Sequence, residues 1–332
     1  MIFENRAIAT LQDSTDWITR QRWFGDKARP VSSSTADVVQ TVDLDGRSAA
    51  LAMVRFSFEW GDDATYFIPV VEATGASRTL IADGVADALG DSDFLRWFVD
   101  GFGSDRVVGD EDTWTWRHLG PGLPGVESVD YAGAKAISGE QSNTSIVFDR
   151  RFIGKMFRRV QPGLNPDLEI GEFLSDGDRY AHAPRLYGLV EVVHKGETTA
   201  IAAMQQFVPN NGDGWTWLLD ALRTMTPDSM PDIVDAVGLL ARRTGELHVA
   251  LASDPENLAF SPELFTSVDA QALIGRVVAE IEESVEGLVK HLPPSEVERI
   301  HKGMGQLMGS AHSLVGTYKI RVHGDYHLGQ TL

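Results

Sequence analysis

Strand-type and helix-type patterns occupy different parts of this 332-residue chain, and their order limits the fold more than any single motif does. Up to Val208, apolar runs are short, alternate with polar residues and are rich in Val, Phe and Tyr, which is typical of β-strands. After Val208, apolar residues recur at helical spacing over several long stretches. Because strands and helices are segregated along the chain, the sequence predicts an α+β fold with separate lobes.

The front of the chain contains several patterns that predict its elements. We expect a short helix around 16–22, strands over 48–60 and 64–73, and a helix over 79–99. A loop rich in Gly and Pro follows at 118–129. This part of the chain is therefore expected to be rich in strands.

A β-hairpin followed by a helix is the clearest local prediction in the middle of the chain. TSIVFD and RFIGKMF both have strand character and meet at Asp149–Arg151. Asn165–Pro166–Asp167 then ends the extended segment and begins a helix with acidic residues in its first turn. Two more strands, LYGLVEVV and TAIAAMQQFV, are expected after it. Near the end of the chain, Ser295 and Glu298 have the spacing of a capping box at the start of a long helix.

Charge and composition exclude several classes of protein. The net charge is −19, from 29 basic and 48 acidic side chains, so we expect no nucleic-acid partner. The absence of cysteine excludes disulfides and thiolate catalysis. The N-terminus lacks the pattern of a secretory signal, and no apolar run approaches the roughly 20 residues of a membrane helix. We therefore expect a cytoplasmic protein that does not associate with membranes.

The segment Val322–Gln330 carries the strongest chemical pattern. Its loop is framed by glycines and contains Asp325, followed five residues later by Gln330. In phosphoryl transfer to an alcohol a carboxylate accepts the hydroxyl proton, which makes Asp325 the candidate catalytic base. An amide oxygen suits Mg²⁺, so Gln330 is the candidate metal ligand, and His323 is expected to brace the loop. The alternatives are a polar surface turn and a zinc site at His327, for which no second ligand has suitable spacing.

A lysine in an apolar strand and the polar loop before it predict a nucleotide site. Lys155 projects from FIGKMF to one face of the strand, where it can bind the α- and β-phosphates of ATP. The loop that begins at Glu140 lacks a glycine-rich pattern, so hydroxyl, amide and backbone N–H groups would hold the phosphates. The alternatives are a lysine that reaches solvent from the strand edge and an ordinary polar turn. The candidate loop residues are Gln141, Ser142, Asn143, Thr144 and Ser145.

Two further elements belong to this candidate nucleotide site. On the helix that follows, Glu169 is the predicted partner of Lys155, with Glu172 as the competitor. At the end of the last strand, MQQFV could offer backbone groups to adenine, which makes Gln205 and Phe207 candidates. The alternatives are acids that merely favour a helix N-terminus and an ordinary edge strand. The order of all these elements matches the bilobal kinase plan, which favours ATP and Mg²⁺ as cofactors.

Three segments resemble a known kinase family. EQSNTSIVFDRRFIGKMFRRVQPGLNPDLEI is similar to the matching stretch of actinobacterial maltokinases, which belong to the aminoglycoside-phosphotransferase-like kinases. DWITRQRWF resembles the N-terminal cap of that family, and VHGDYHLGQTL resembles its catalytic loop. The resemblance implies a bilobal fold like that of eukaryotic protein kinases. It would comprise a cap at 1–90, an intermediate part and N-lobe at 91–207, and a helical C-lobe at 208–332.

The resemblance also implies an activity. The family transfers the ATP γ-phosphate to the C1 hydroxyl of maltose, and the maltose 1-phosphate formed enters glycogen and α-glucan synthesis from trehalose. Carried onto this sequence, the resemblance implies that Asp325 is the catalytic base and Gln330 a Mg²⁺ ligand. It also implies that Lys155 binds the phosphates and that Glu169 is the partner of Lys155. Members of the family continue for roughly another hundred residues, which include a second metal-binding aspartate. We therefore expect an incomplete C-lobe and an inactive isolated chain.

Three alternatives stay open from the sequence. The acceptor could be another small hydroxylated molecule, such as glucosamine or an aminoglycoside. The chain could be a non-catalytic nucleotide-binding module, although Lys155, Asp325 and Gln330 together argue against this. The front of the chain could form an interaction module that binds a trehalose synthase as a partner.

Overall fold

The structure, a computed structural model, describes residues 2–73, 79–82, 84–120, 122–137, 143–288 and 292–332. It divides into two compact units, residues 1–220 together with 328–332, and residues 221–327. The predicted domain boundaries at residues 90 and 207 do not coincide with this division and stay predictions. Within the described ranges, no helix has both the length and the apolar character needed to cross a membrane.

The first unit begins with a seven-stranded antiparallel sheet, the cap sheet. Its two long strands form a hairpin whose turn is Asp45–Gly46, with φ values of 53° and 91°. A two-residue hairpin turn of type I′ requires positive φ at both positions, and Asp-Gly adopts it readily. Six strands come from the front of the chain: β1 (Val31–Leu44), β2 (Arg47–Phe58), β3 (Ala64–Phe67), β4 (Val70–Glu72), β5 (Leu80–Ala82) and β6 (Val85–Asp87).

Three helices accompany the cap sheet: α1 (Ile2–Asp13), α2 (Thr15–Thr19) and α3 (Ser92–Asp100). The predicted helix over 79–99 is wrong in its first half, where β5 and β6 lie. Asp91 separates strand from helix, because its carboxylate accepts the backbone N–H groups of Asp93 and Phe94 at 3.1 and 3.0 Å. The apolar run before Asp91 is too short to have its own periodicity, and pairing of β6 with β4 decided its structure.

The second sheet of this unit, the Lys155 sheet, is also antiparallel and has the order β7-β8-β13-β14-β11-β10-β9. The predicted hairpin is confirmed, with Asp149 and Arg150 at φ values of 49° and 55° in its turn. A further short strand, β12 (Arg159–Val160), leaves this sheet and pairs with β3 of the cap sheet. The strands of the Lys155 sheet are β7 (Val107–Val108), β8 (Thr113–His118), β9 (Lys135–Ala136), β10 (Asn143–Phe148), β11 (Phe152–Phe157), β13 (Leu186–His194) and β14 (Glu197–Gln206).

Helix α4 (Pro166–Ser175) begins where the sequence predicts. The Asn165 side chain accepts the backbone N–H groups of Asp167 and Leu168 at 2.9 and 3.3 Å, which satisfies two donors that have no partner within the helix. Proline at the first helical position costs no hydrogen bond there. A further helix, α5 (Gly214–Arg223), follows the last strand of this unit.

One apolar core joins the cap sheet to the Lys155 sheet. It contains buried residues of both sheets, among them Met53 and Phe67 of the first and Trp114 and Phe148 of the second. The rings of Phe67 and Trp114 are 5.7 Å apart, within the range of favourable aromatic pairs. The front of the chain is therefore packed against the strands that carry the candidate nucleotide site.

A buried arginine adds a polar connection between the two sheets. The side chain of Arg158, 2% exposed, donates to Asp87 Oδ2 at 2.6 Å and to Thr144 Oγ1 at 2.9 Å. Its guanidinium lies 4.5 Å from the centroid of a Trp23 ring. Asp87 and Trp23 belong to the cap side and Thr144 to β10, so one cation contacts three distant segments.

Tyr131 is a second buried polar group of this core, and its hydroxyl has no hydrogen-bond partner among the described residues. The residue is 6% exposed and its ring packs on Phe148 at a centroid distance of 6.0 Å. Burial raises the pKa of the Tyr131 phenol to about 12 from its ordinary value of 10.0. The folded protein therefore keeps this phenol neutral at a pH where the unfolded chain ionises it.

Tyr131→Phe is expected to flatten the loss of stability at alkaline pH. Below about pH 10 both states hold the proton, and between about pH 10 and 12 only the unfolded state releases it, so stability falls as pH rises. Phenylalanine removes this term and leaves no polar atom unpaired. Urea unfolding from pH 8 to 11 measures it, with the exposed Tyr318 changed to Phe as the matched control. If the unfolding free energies of wild type and Tyr131→Phe changed in parallel with pH, the prediction would be contradicted.

The second unit is mainly helical, with α6 (Met230–Leu251), α7 (Ser267–Leu288) and α8 (Pro294–Ala311). It also contains a two-stranded pair, β15 (Glu263–Leu264) and β16 (Tyr318–Lys319). The prediction that strands end at Val208 is therefore wrong for this pair. Lys319 Nζ stabilises the pair by binding Glu263 Oε2 and Asp269 Oδ1, both at 2.9 Å.

The predicted capping box is also wrong. Helix α8 begins at Pro294, so Ser295 lies inside the helix, and the residue before the helix is Pro293, whose side chain makes no capping hydrogen bond. Consecutive prolines fix the backbone at the helix start, and the first helical position tolerates proline because its N–H would be unpaired in any case.

Candidate functional site

Lys155 lies in β11 on one face of its sheet. Its direct cross-strand neighbours are Ser145 on β10 and Ala203 on β14, and residues paired in this way share a face. Gln205 lies on the same face, because side chains alternate along β14. The structure therefore brings three predicted nucleotide residues, Ser145, Lys155 and Gln205, onto one surface of the Lys155 sheet.

The acid that holds Lys155 is Asp167. Lys155 Nζ lies 2.6 Å from Asp167 Oδ2, and 24% of the lysine side chain is exposed. Asp167 is the second residue of α4, two positions before the predicted partner Glu169. The role of Glu169 toward Lys155 stays a prediction. The competitor Glu172 instead binds Arg117 through two hydrogen bonds of 2.8 and 3.1 Å.

Sequence reasoning missed Asp167 although its signal was present. The residue follows Asn165–Pro166 and is the first acid of the helix, where a carboxylate also interacts favourably with the helix dipole. A pairing with Lys155 depends on how α4 is rotated against β11, and no spacing rule gives that rotation.

The candidate phosphate loop is only partly described. Gln141 and Ser142 lie outside the described residues, while Asn143, Thr144 and Ser145 open strand β10. The Thr144 hydroxyl accepts the hydrogen bond from Arg158, and Ser145 is 1% exposed. Their contact with phosphate stays a prediction.

The candidate adenine-binding segment, residues 204–208, lies at the end of β14. Gln205 is partly buried in the sheet, and the backbone N–H of Phe207 donates to the carbonyl of Arg151 at 3.1 Å. The Arg150 guanidinium lies 5.6 Å from the centroid of the Phe207 ring. Phe207 is thus held against the turn of the β10–β11 hairpin, and its role toward adenine stays a prediction.

The candidate catalytic loop lies in the second unit. Asp325 is exposed, and its backbone N–H donates to His323 Nδ1 at 3.4 Å. Gly324 between them has φ of 89°, a conformation that favours glycine. The rings of His323 and Tyr326 are 5.9 Å apart, and the Tyr326 hydroxyl accepts from Thr244 on α6 at 3.3 Å. The loop is therefore connected by a hydrogen bond to α6, a long helix of its own unit.

Gln330 is grouped with the first unit. It ends a 3-10 turn, Leu328–Gln330, and its side chain is exposed. Mg²⁺ prefers oxygen ligands, so the amide oxygen of Gln330 suits this ion by its chemistry, and the role of Gln330 stays a prediction. Among the described residues no three His, Asp or Glu side chains gather in a group able to hold a metal ion alone. Nucleotide phosphates and water would supply the remaining ligands, as is usual for Mg²⁺.

A groove of the second unit has a different character. Its volume is about 370 Å³, and it is lined by apolar side chains of α7 and α8, including Leu273, Val277, Met304 and Met308. Among the described residues that line it, none is charged. Because phosphates require cationic or hydrogen-bonding partners, this groove is not suited to the phosphates of a nucleotide.

Comparison with known proteins gives a family for the front of the chain. Residues 17–103 match the maltokinase N-terminal cap domain family. The chain carries a maltokinase N-terminal cap domain. This match covers β1 to β6 and α3, and it confirms that the front of the chain carries a cap, while the predicted cap bounds of 1–90 stay a prediction.

Two curated relatives of the chain are glucosamine kinases. The protein of Streptacidiphilus jiangxiensis is 26% identical over 217 residues, which cover 61% of this chain and 47% of the relative. The protein of Mycolicibacterium smegmatis is 26% identical over 204 residues, which cover 60% and 49%. The chain thus spans about half the length of the curated relatives it matches.

Solved structures give the fold of the whole chain. A glucosamine kinase in complex with glucosamine, ADP and inorganic phosphate matches with a TM-score of 0.61 and 22% identity, over 95% of this chain and 68% of that one. Another crystal form of a glucosamine kinase gives 0.60 and 23%, over 90% and 62%. The predicted α+β, kinase-like fold with an N-terminal cap domain is confirmed.

Proposed function

We propose that this chain supplies the nucleotide-binding and catalytic residues of an ATP-dependent sugar kinase. The observation that carries the proposal is the ion pair between Lys155 of β11 and Asp167 of α4. Kinases use such a pair, a strand lysine held by a helix acid, to direct the cation toward the nucleotide phosphates. The kinase fold of the solved relatives and the ADP in one of them support this proposal.

The proposed roles follow from the chemistry of each group. The Lys155 ammonium donates to phosphate oxygens and offsets their charge, which a protein of net charge −19 requires locally. The Asp325 carboxylate orients the sugar hydroxyl and accepts its proton as the oxygen attacks the γ-phosphorus, the bond from that phosphorus to the β,γ-bridging oxygen breaks, and ADP leaves. Gln330 would hold Mg²⁺, which when bound neutralises charge on the transferred phosphoryl group.

The acceptor we propose is maltose, phosphorylated to maltose 1-phosphate. The cap domain and the long motif around Lys155 favour it. Glucosamine is the second candidate, because the curated relatives are glucosamine kinases. Use of the product in α-glucan synthesis and association with a trehalose synthase stay predictions from the resemblance.

Two measurements test the function. The first is binding of ADP to the 332-residue chain by calorimetry, with Mg²⁺ and with EDTA, and we expect binding that Mg²⁺ strengthens. The second is ADP release by the full-length protein with maltose, glucosamine or kanamycin as acceptor, where maltose should give the highest kcat/KM. Transfer to glucosamine alone would correct the acceptor. A protein that binds no nucleotide would overturn the proposal.

Asp167→Asn is expected to weaken ATP binding about tenfold, or about 1.4 kcal/mol, because Lys155 loses the charge that orients it. Glu169→Gln on the same helix is the matched variant and should have a smaller effect, below about threefold. Calorimetric titration of both variants measures the difference. A larger loss in Glu169→Gln would restore the original assignment from sequence.

A further inference from the structure

The first turn of α5 contacts the segment that follows the candidate catalytic loop. Asp213 caps the helix, because its carboxylate accepts hydrogen bonds from the backbone N–H of Thr216 at 2.9 Å and from the Thr216 hydroxyl at 3.0 Å. The first N–H groups of a helix have no partner within it, so they can bind elsewhere. The N–H of Gly214 uses this freedom and donates to the carbonyl of Thr331 at 2.9 Å.

Thr331 in turn closes the 3-10 turn that ends at Gln330. Its N–H donates to the carbonyl of Leu328 at 3.1 Å, and its hydroxyl donates to the same oxygen at 2.8 Å. The backbone on either side of Gln330 is thus fixed, by Leu328 before it and by the Thr331–Gly214 bond after it. Gln330, the candidate metal ligand, therefore ends a turn whose position depends on the contact between Thr331 and α5.

This contact leaves no room for a side chain at position 214. A Cβ atom there would lie 2.2 Å from Thr331 Oγ1 and 3.1 Å from the carbonyl oxygen of Leu328. The first distance is a severe overlap, so either the Thr331 hydroxyl would have to rotate away or the turn would have to move, and the second distance, to a backbone carbonyl, is tight. Gly238 on α6 has nothing within 4 Å of the same atom and makes a suitable control.

We propose that Gly214 is a positioning residue that sets the place of the Gln330 amide for the metal–nucleotide complex. The inference rests on the proposed function, since it concerns the geometry of that same site. Gly214 acts in two ways: its N–H fixes the carbonyl of Thr331, and its missing side chain allows the turn to approach the helix.

The test uses Gly214→Ala, Thr331→Ala and the double variant, with Gly238→Ala as the control. Calorimetry gives the affinity for ADP with Mg²⁺ and with EDTA, so that the metal-dependent part is separated from direct nucleotide contacts. We expect Gly214→Ala to lose about tenfold in affinity with Mg²⁺, or about 1.4 kcal/mol, and less than about twofold with EDTA. The double variant should recover most of the loss, because the 2.2 Å overlap with Thr331 Oγ1 is gone.

The outcomes separate this inference from the proposed function. Wild type that binds ADP with a Mg²⁺ effect, together with an unchanged Gly214→Ala, overturns the role of Gly214 and leaves the function standing. Equal losses with Mg²⁺ and EDTA, or a Gly214→Ala variant that does not fold, show a structural role only and also overturn it. Wild type without nucleotide binding overturns both.

Discussion

Asp325→Asn in the full-length protein is expected to lower kcat for sugar phosphorylation by roughly 10²–10⁴-fold. Asparagine has nearly the same shape but cannot accept the hydroxyl proton, so the loss is chemical and not steric. Asp325 is exposed, and its backbone N–H donates to His323 Nδ1, a hydrogen bond that the substitution retains. The melting temperature and the KM for ATP should therefore change little.

The measurement is ADP release at saturating ATP, Mg²⁺ and sugar. Asp228→Asn is the matched control, because Asp228 is also an exposed aspartate of the second unit and lies outside the candidate loops. Its kcat should equal that of wild type. Retention of more than about a tenth of the activity by Asp325→Asn would show that another group takes the proton.

Arg158→Met is expected to cost about 3–5 kcal/mol of unfolding free energy, a large share of the roughly 5–15 kcal/mol of a typical domain. The substitution leaves the Asp87 carboxylate, 6% exposed, without its cation at 2.6 Å. It also removes the hydrogen bond to Thr144 and the contact with the Trp23 ring. Urea unfolding, followed by the midpoint at constant m-value, measures the loss.

Two variants check the physical reason. In wild type the N–H of Leu89 donates to Asp87 Oδ1 at 3.0 Å. Arg158→Met/Asp87→Asn removes both charges and keeps an oxygen that can accept this hydrogen bond, so it should recover part of the lost stability. Arg299→Met breaks an exposed pair with Glu296 and should cost less than about 1 kcal/mol. If Arg158→Met cost no more than Arg299→Met, the buried pair would not stabilise the junction of the two sheets.

Local patterns predicted much of the fold. The hairpin around Asp149 and Arg150 and the start of α4 after Asn165 depend on residues within a few positions of one another. The segment before Asp91 was predicted wrongly because a short apolar run fits a helix or a strand equally well, and strand pairing decided. The two-residue strand β16 was missed because pairing with β15, more than fifty residues earlier, defines it.

The candidate site shows the same limit. The types of group were predictable, since phosphoryl transfer needs a cation, a carboxylate and an oxygen ligand for Mg²⁺. The contact between Lys155 and Asp167 was not, because Asp167 and Glu169 are two residues apart on one helix and the contact depends on how that helix packs; the role of Glu169 stays a prediction. Gly214 carried no signal in the sequence, since its contact with Thr331 joins residues more than a hundred positions apart.

The sequence by itself determined that strands predominate before Val208 and helices after it, and it determined the hairpin of Lys155, the start of α4 and the types of group that Asp325 and Gln330 offer. These features rest on periodicity, backbone preference and side-chain hydrogen bonds within a few residues. The tertiary structure alone decided that Arg158 binds Asp87, that Asp167 holds Lys155 and that Gly214 holds Thr331. Each of these contacts depends on how separate elements pack, and packing follows from shape and burial over the whole unit, which no local pattern contains.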